Sequence, residues 1–203
     1  MREQGNHHDR GTLEYKDDED MEKIYYAGLE TPMGIMWAAT SERGLVLFQI
    51  SNKKDTFMKE LKSRIEAEYI EDPSRFKDLK TQLERYFNGE KIIFDVPFDF
   101  KGTPFQVEVW NAIYAIPNGK LTSYGRIAKA IKRPNAVRAV GNAVGANPIG
   151  LVVPCHRVVA SDGGIGGFGG GLVLKRKLLV QEGIFKTEKG KPEKDVDLRR
   201  YFD

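Results

Sequence analysis

The spacing of apolar positions divides the chain into two halves with different patterns. From Ile24 the segment IYYAGLETPMGIMWAATSERGLVLFQI holds three short runs rich in β-branched, aromatic and aliphatic residues. The turn sequences TPMG and SERG separate them, which predicts a three-stranded meander. Two helices are expected next. DTFMKELKSRIEAEYI places Phe57, Met58, Leu61 and Ile65 on one stripe, and FKDLKTQLERYFNGE does the same with Phe76, Leu79, Leu83, Tyr86 and Phe87 before Gly89 stops it. KIIFDVPFDF then reads as an extended connection, because Pro97 breaks a helix, and a domain boundary is placed near Lys101.

The second half is written for short helices. TPFQVEVWNAIYAIPNGK starts a helix near Thr103 and Pro104 and turns Phe105, Val109, Trp110 and Ile113 inward before PNG ends it. LTSYGRIAKAI offers Ser123 as an N-cap with Ile127, Ala128 and Ile131 buried. After the KRPN turn a third helix, Asn135 to Val144, is expected to bury Val137, Val140 and Val144. Two short helices joined by a tight turn match a helix-turn-helix. NPIGLVVPCHRVV is too short and too β-branched for a helix, so it reads as a strand. SDGGIGGFGGG has seven glycines in eleven residues, where a ligand can approach backbone closely, but it lacks the strand–loop–helix register of a phosphate loop. LVLKRKLLVQEG closes the fold with a helix that buries Leu174, Leu178 and Leu179 and stops at Gly183.

Domains are therefore expected at 23–100 and 101–185, between a disordered tail over 1–22 and a flexible one over 186–203, with Met21 an alternative start. The fold class is an α/β first domain with a small antiparallel sheet, then a mostly helical second domain. No apolar run reaches the length of a membrane span, and the acidic N-terminus has no signal-peptide core. A cytoplasmic or nucleoid location follows. One cysteine and three histidines, two of them in the tail, do not make up a structural zinc site. The net charge of +3 hides an asymmetry: residues 1–100 carry −6 and residues 101–185 carry +8. Such a basic half fits either a polyanion partner or an ordinary solvated surface.

Cys155 is the only cysteine, and it is followed directly by His156 and Arg157. A single thiol after LVV can be an inert core group, or a nucleophile whose pKa an adjacent imidazole or guanidinium lowers, and His156 and Arg157 are both available for that. Adjacent strand residues point to opposite faces, so His156 is expected to act through a water or a bend. Glu182, one of three acids between residues 101 and 185, is the candidate to hold the imidazole.

PCHRV, at Pro154 to Val158, resembles the active-site motif of the O6-alkylguanine-DNA alkyltransferases, the methylated-DNA–protein-cysteine methyltransferases. The likeness extends through TPFQVEVWNAIYAIPNGKLTSYGRIA, RAVGNAVGANP and GGLVLKRKLLVQEG, so it covers Thr103 to Gly183 in order. The first half shares the general layout, a ribonuclease-H-like α/β unit to which no chemistry is assigned, followed by a winged-helix-like domain. The resemblance implies a single-turnover suicide reaction on O6-alkylguanine flipped out of duplex DNA, with O4-alkylthymine a second substrate, no cofactor and a monomer as the working unit. Cys155 then corresponds to the alkyl acceptor, His156 to the base, Glu182 to its orienting acid and Asn147 to the tie between helix-turn-helix and active-site strand. Tyr124 corresponds to the residue that turns the phosphate and protonates the leaving guanine. Arg138 corresponds to a finger inserted in the stack, with Ala136, Ala139, Gly141 and Ala143 allowing close minor-groove approach and little sequence preference. Arg157 is placed with the DNA-binding residues. Pro154, Val158, Gly166, Phe168, Gly169 and Gly170 are placed around the pocket. Phe168 stands where the family often has tyrosine and Gly169 where some members have serine, and the zinc ligands some members carry in the first domain are absent.

Two other functions stay in view. A lesion sensor with this fold would bind the damaged base without chemistry, but such proteins lack the cysteine. A thiol hydrolase would use Cys, His and acid, but would leave the basic helix-turn-helix without a role. At the C-terminus, DVDLRRYFD spaces Leu198 three residues before Tyr201 and Phe202. It resembles a peptide that docks on sliding clamps, with Asp195 where glutamine is preferred; the other reading is a segment folded back on its own domain.

Overall fold

The structure, a computed structural model, describes residues 21–50, 53–188, 191–192 and 197–202. The expected disordered tail up to Asp20 and the Asp195 position lie outside the described residues.

The meander forms as β1 (Lys23–Thr31), β2 (Gly34–Ser41) and β3 (Gly44–Ile50), paired antiparallel in sequence order. In β2 four consecutive residues, Met36 to Ala39, are buried, so both faces of the sheet are covered. Trp37, Ala39 and Leu47 pack with Phe57 and Leu61 of α1 (Lys54–Arg64), while Met36, Ala38 and Phe48 face the rest of the molecule.

The helix expected to continue to Ile70 stops at Arg64, where Ile65 is already extended. Glu68–Glu71 forms β4, parallel to the open edge of β1, so the sheet is mixed, in the order β3-β2-β1-β4, rather than antiparallel throughout. Its four residues, EYIE, alternate exposed ends with a half-buried centre, a pattern too short to separate from a helix end. An Asp72-capped turn then leads into α2 (Lys77–Phe87), which buries Leu79, Leu83 and Tyr86.

The second domain opens on α3 (Pro104–Tyr114), started by a capping box between Thr103 and Gln106. A two-residue strand, β5 (Thr122–Ser123), precedes α4 (Tyr124–Ala130), whose N-cap is Ser123. With α5 (Val137–Gly145) this forms the helix-turn-helix, held on α3 by the Trp110 indole, which donates to the Ala143 carbonyl at 2.8 Å. Ala143 is therefore core, not approach surface. Val137, expected inside, is 40% exposed on the outer face. After a 3-10 turn at Cys155–Arg157, β6 (Val158–Val159) pairs parallel with β5, and α6 (Leu172–Gln181) packs behind it.

The two domains share one core, in which Phe48 and Tyr86 join Trp110, Val153 and Leu178. Backbone bonds carry the join: the Phe48 N–H donates to Pro148 O at 2.8 Å and the Gly150 N–H to Phe48 O at 3.1 Å.

The end of the chain corrects the expectation of a flexible tail as far as Asp197–Phe202. Leu198 is 1% exposed, packed among Leu121, Val159, Leu179, Ile184 and Phe185. The Leu121 N–H donates to Tyr201 O at 2.9 Å and the Tyr201 hydroxyl to Ile184 O at 2.8 Å. Gly163, at φ +92°, is required there, since a Cβ would lie 2.5 Å from the Asp197 carboxylate. The aliphatic–aromatic spacing is thus used within the chain, and Leu198 is not offered to a clamp. Among the described residues no helix is long and apolar enough to cross a membrane.

Candidate active site

Cys155 lies on the wall of a cavity of about 490 Å³. Tyr124, Gly141 and Asn147 from the helix-turn-helix and its exit line one side, and Gly167 to Gly170 with Phe168 line another. The third wall belongs to the first domain and was not foreseen: Ile50, Thr56, Glu60 and Arg64 face the same space. Arg64 donates to Glu60 Oε1 at 2.8 and 3.0 Å, and Gln49 donates to Glu60 Oε2, which fixes that rim. Three residues expected around the pocket do not line it. Val158 is in the core, Pro154 is buried behind the acceptor turn, and Gly166 packs against the Tyr124 ring, where a Cβ would come within 3.3 Å of the phenol oxygen.

The expected strand through Cys155 is a 3-10 turn, which changes where its side chains go. Backbone accounts for it: Val153 O accepts from the Cys155 N–H at 2.8 Å and Pro154 O from the Arg157 N–H at 2.9 Å. His156 and Arg157 consequently both point inward to the same carboxylate. His156 Nε2 is 2.7 Å from Glu182 Oε1, and Arg157 donates Nε to Oε2 at 2.9 Å and Nη2 to Oε1 at 2.8 Å. Arg157 also donates to Ile116 O at 2.6 Å and is 5% exposed. It is an internal ion-pair partner and cannot reach DNA, contrary to its expected place. A guanidinium beside a fully buried carboxylate supplies the charge that burial would otherwise make costly.

Asn147 donates to Val153 O at 2.8 Å and accepts from the Ile149 N–H at 3.1 Å, so it does tie the exit of α5 to the segment before Cys155. Arg138, Ala139 and Val137 are exposed together on α5, with Ala136 half-buried at its start and Gly141 turned toward the cavity.

Burial pushes the Cys155 thiol up, against Asn147 and the Lys175 ammonium, which favour the thiolate. Burial pulls His156 down, so its resting form at neutral pH is the uncharged imidazole, able to accept a proton. Its Nδ1 is buried without a hydrogen-bond partner among the described residues. Burial also works against the Glu182 carboxylate, yet His156 and Arg157 together hold its pKa at about 2. Burial and the neighbouring Cys155 raise the Tyr124 phenol, which stays protonated as a donor.

Lys175 was not foreseen. It is fully buried on α6 and donates to Val158 O at 2.6 Å, Ile165 O at 2.6 Å and Gly167 O at 3.1 Å. One ammonium thus fastens the glycine loop to the strand after the acceptor. The signal was in the sequence: Lys175 stands three and four residues before Leu178 and Leu179, on their face. Burial lowers its pKa to about 8, so it remains charged at neutral pH. Lys175→Met removes the positive charge that favours the Cys155 thiolate. Labelling of Cys155 by iodoacetamide at neutral pH is expected to slow about tenfold, one unit of thiol acidity; an unchanged rate would show that the charge is not felt at the sulfur.

Both halves of the chain match domains of one known family. Residues 104–184 match the 6-O-methylguanine DNA methyltransferase DNA-binding domain, and residues 24–100 match the ribonuclease-like domain of the same proteins. The methylated-DNA–protein-cysteine methyltransferase of Methanosarcina acetivorans is 43% identical over 161 residues, 79% of this chain and 99% of that protein. The one from Mycobacterium tuberculosis is 41% identical over 159 residues, 78% of this chain and 92% of that protein. Among solved structures, Mycobacterium tuberculosis OGT in complex with DNA superposes with a TM-score of 0.68 at 40% identity, covering 78% of this chain and 92% of that one. The enzyme from Pyrococcus kodakaraensis gives 0.58 at 25% identity, covering 79% and 99%. With both domains matched and relatives this similar over almost their whole length, the chain belongs to the methylated-DNA–protein-cysteine methyltransferase family.

Proposed function

We infer that this chain repairs DNA by moving an alkyl group from a damaged base, O6-alkylguanine, onto its own Cys155. The observation that carries the reading is Cys155 at the wall of a cavity large enough for a single base, with the buried His156–Glu182 pair beginning at the next residue of the same turn. The target atom cannot reach a recessed thiol while stacked, so the nucleotide must leave the duplex. Val137, Arg138 and Ala139 on α5 suit that task, since an apolar side chain, a cation and a methyl group exposed together can enter a minor groove and fill the gap in the stack. Such contacts read shape rather than base edges, so little sequence preference follows. The acceptor and all the cavity walls belong to one chain, so a monomer suffices.

In the reaction, His156 Nδ1 takes the Cys155 proton through a water while Glu182 steadies the imidazolium that forms. The sulfur lone pair attacks the alkyl carbon, the S–C bond forms and the O6–C bond breaks. The departing electron pair is neutralised by a proton from Tyr124, which solvent later restores from His156. O4-alkylthymine presents the same alkyl–oxygen bond. The thioether is stable, and the protein acts once.

The test is stoichiometric. Incubation with duplex carrying O6-methylguanine should convert one lesion per protein molecule to guanine, read by nucleoside chromatography; catalytic turnover, or no conversion, would sink the reading. Arg138→Ala should weaken binding to lesion duplex about fivefold to tenfold by fluorescence anisotropy, as expected for one lost cationic contact, while Cys155 labelling stays as in the wild type. Unchanged affinity would place the DNA elsewhere.

A further inference from the structure

The first domain contributes a side chain to the acceptor site. Tyr86, in the last turn of α2, is 2% exposed, and its hydroxyl donates to Glu182 Oε1 at 3.1 Å. That oxygen also accepts from His156 and Arg157, so three donors share it. The phenol cannot swing away: its ring packs edge-on to Phe87 at 5.1 Å and against Phe94 at 5.7 Å. From the other side the Gln181 amide of α6 donates to Tyr86 O at 3.0 Å and Phe87 O at 3.2 Å. The ends of α2 and α6 are thereby locked together at the residue before Glu182.

We propose that Tyr86 is a positioning residue for alkyl acceptance, fixing the Glu182 carboxylate and tempering its pull on the His156 imidazole, so that the first domain takes part in the chemistry of the second. The inference rests on the alkyl-transfer reading above. A carboxylate oxygen shared among three donors presents less negative charge to each. Without the phenol, Glu182 would hold the proton of the imidazolium more tightly and would be less firmly oriented. His156 would then stay protonated, and unable to accept from Cys155, up to a higher pH. The other charged groups facing the pair are Arg157 on the acceptor turn and Lys175 on α6, with Cys155 itself; Glu90 and Lys91 line the cleft outside Tyr86.

Tyr86→Phe keeps the ring and its packing and removes one hydroxyl. Single-turnover transfer from duplex containing O6-methylguanine, followed across the imidazole range of pH, should show two changes. The plateau rate falls about tenfold, part of the usual general-base contribution. The midpoint of the acid limb rises by about half a pH unit, as for one hydrogen bond acting through an intermediate group. Gln181→Met loosens the same helix junction without touching the carboxylate, and should lower the melting temperature while leaving the midpoint at the wild-type value. A Tyr86→Phe midpoint equal to wild type, or an equal shift in Gln181→Met, would overturn the inference alone. Absence of transfer by the wild-type protein would overturn the reading beneath it as well.

Discussion

Cys155→Ala is expected to reduce alkyl transfer to zero while lesion duplex still binds. Transfer needs a bond from sulfur to carbon, and the chain has no second cysteine to substitute for it. The change removes one buried atom at a cavity wall, where neighbours lose few contacts, so stability should shift by about 1 kcal/mol or less. The DNA-facing surface of α5 is untouched, and the cavity gains room. Anisotropy should therefore report binding at least as tight as wild type, while the lesion content of the DNA stays constant in a single-turnover assay. Residual transfer by this variant would mean that another nucleophile is present.

Glu182→Gln should damage both reactivity and fold. The amide keeps the shape, but four charge-assisted contacts converge on the carboxylate from Tyr86, His156 and Arg157. Glutamine brings an NH₂ that must face donors, and leaves the Arg157 guanidinium buried without a counter-charge. Removing one partner of a buried pair costs about 3–5 kcal/mol, or roughly 10 °C in melting temperature for a chain of this size. Loss of the imidazole's support should slow transfer about a hundredfold or more.

The pH dependence has a definite sign. Glu182 titrates near 2 in the fold against an ordinary 4.5, so its stabilisation is complete above 4.5 and disappears as pH falls toward 2. Burial lowers His156, so the unfolded chain takes up that proton first, and stability also falls as pH drops through the ordinary imidazole value of 6.5. Urea unfolding of Glu182→Gln should be flatter than wild type between 4.5 and 2. Parallel curves in that window would show that the carboxylate is not held ionised by its partners.

How far the sequence disclosed this molecule can be argued from particular residues. Runs rich in β-formers, separated by TPMG and SERG, located the meander, and the Ser123 cap located α4, because those signals are local. The four residues of β4 were read as helix, since a short parallel edge strand exists only by virtue of the β1 edge it joins. The motif at Cys155 and the scarcity of acids nearby pointed to His156 and Glu182, whose side chains meet at 2.7 Å. Arg157 was misplaced among the DNA-binding residues, because nothing in its position along the chain shows the 3-10 turn that brings its side chain and that of His156 to one buried carboxylate. Tyr86 was legible as a buried ring but not as a donor, because its acceptor is 96 residues away. Leu198, Tyr201 and Phe202 show the converse: their spacing suits docking, and the surface they pack on belongs to their own domain.

The most direct test of alkyl acceptance is the intact mass of the protein after incubation with duplex carrying one O6-methylguanine, followed by peptide mapping. The protein is expected to gain one methyl group, located on Cys155, with the DNA base restored to guanine. A protein of unchanged mass that nevertheless holds the lesion tightly would contradict it, and would make the chain a sensor of alkylated DNA whose thiol takes no part.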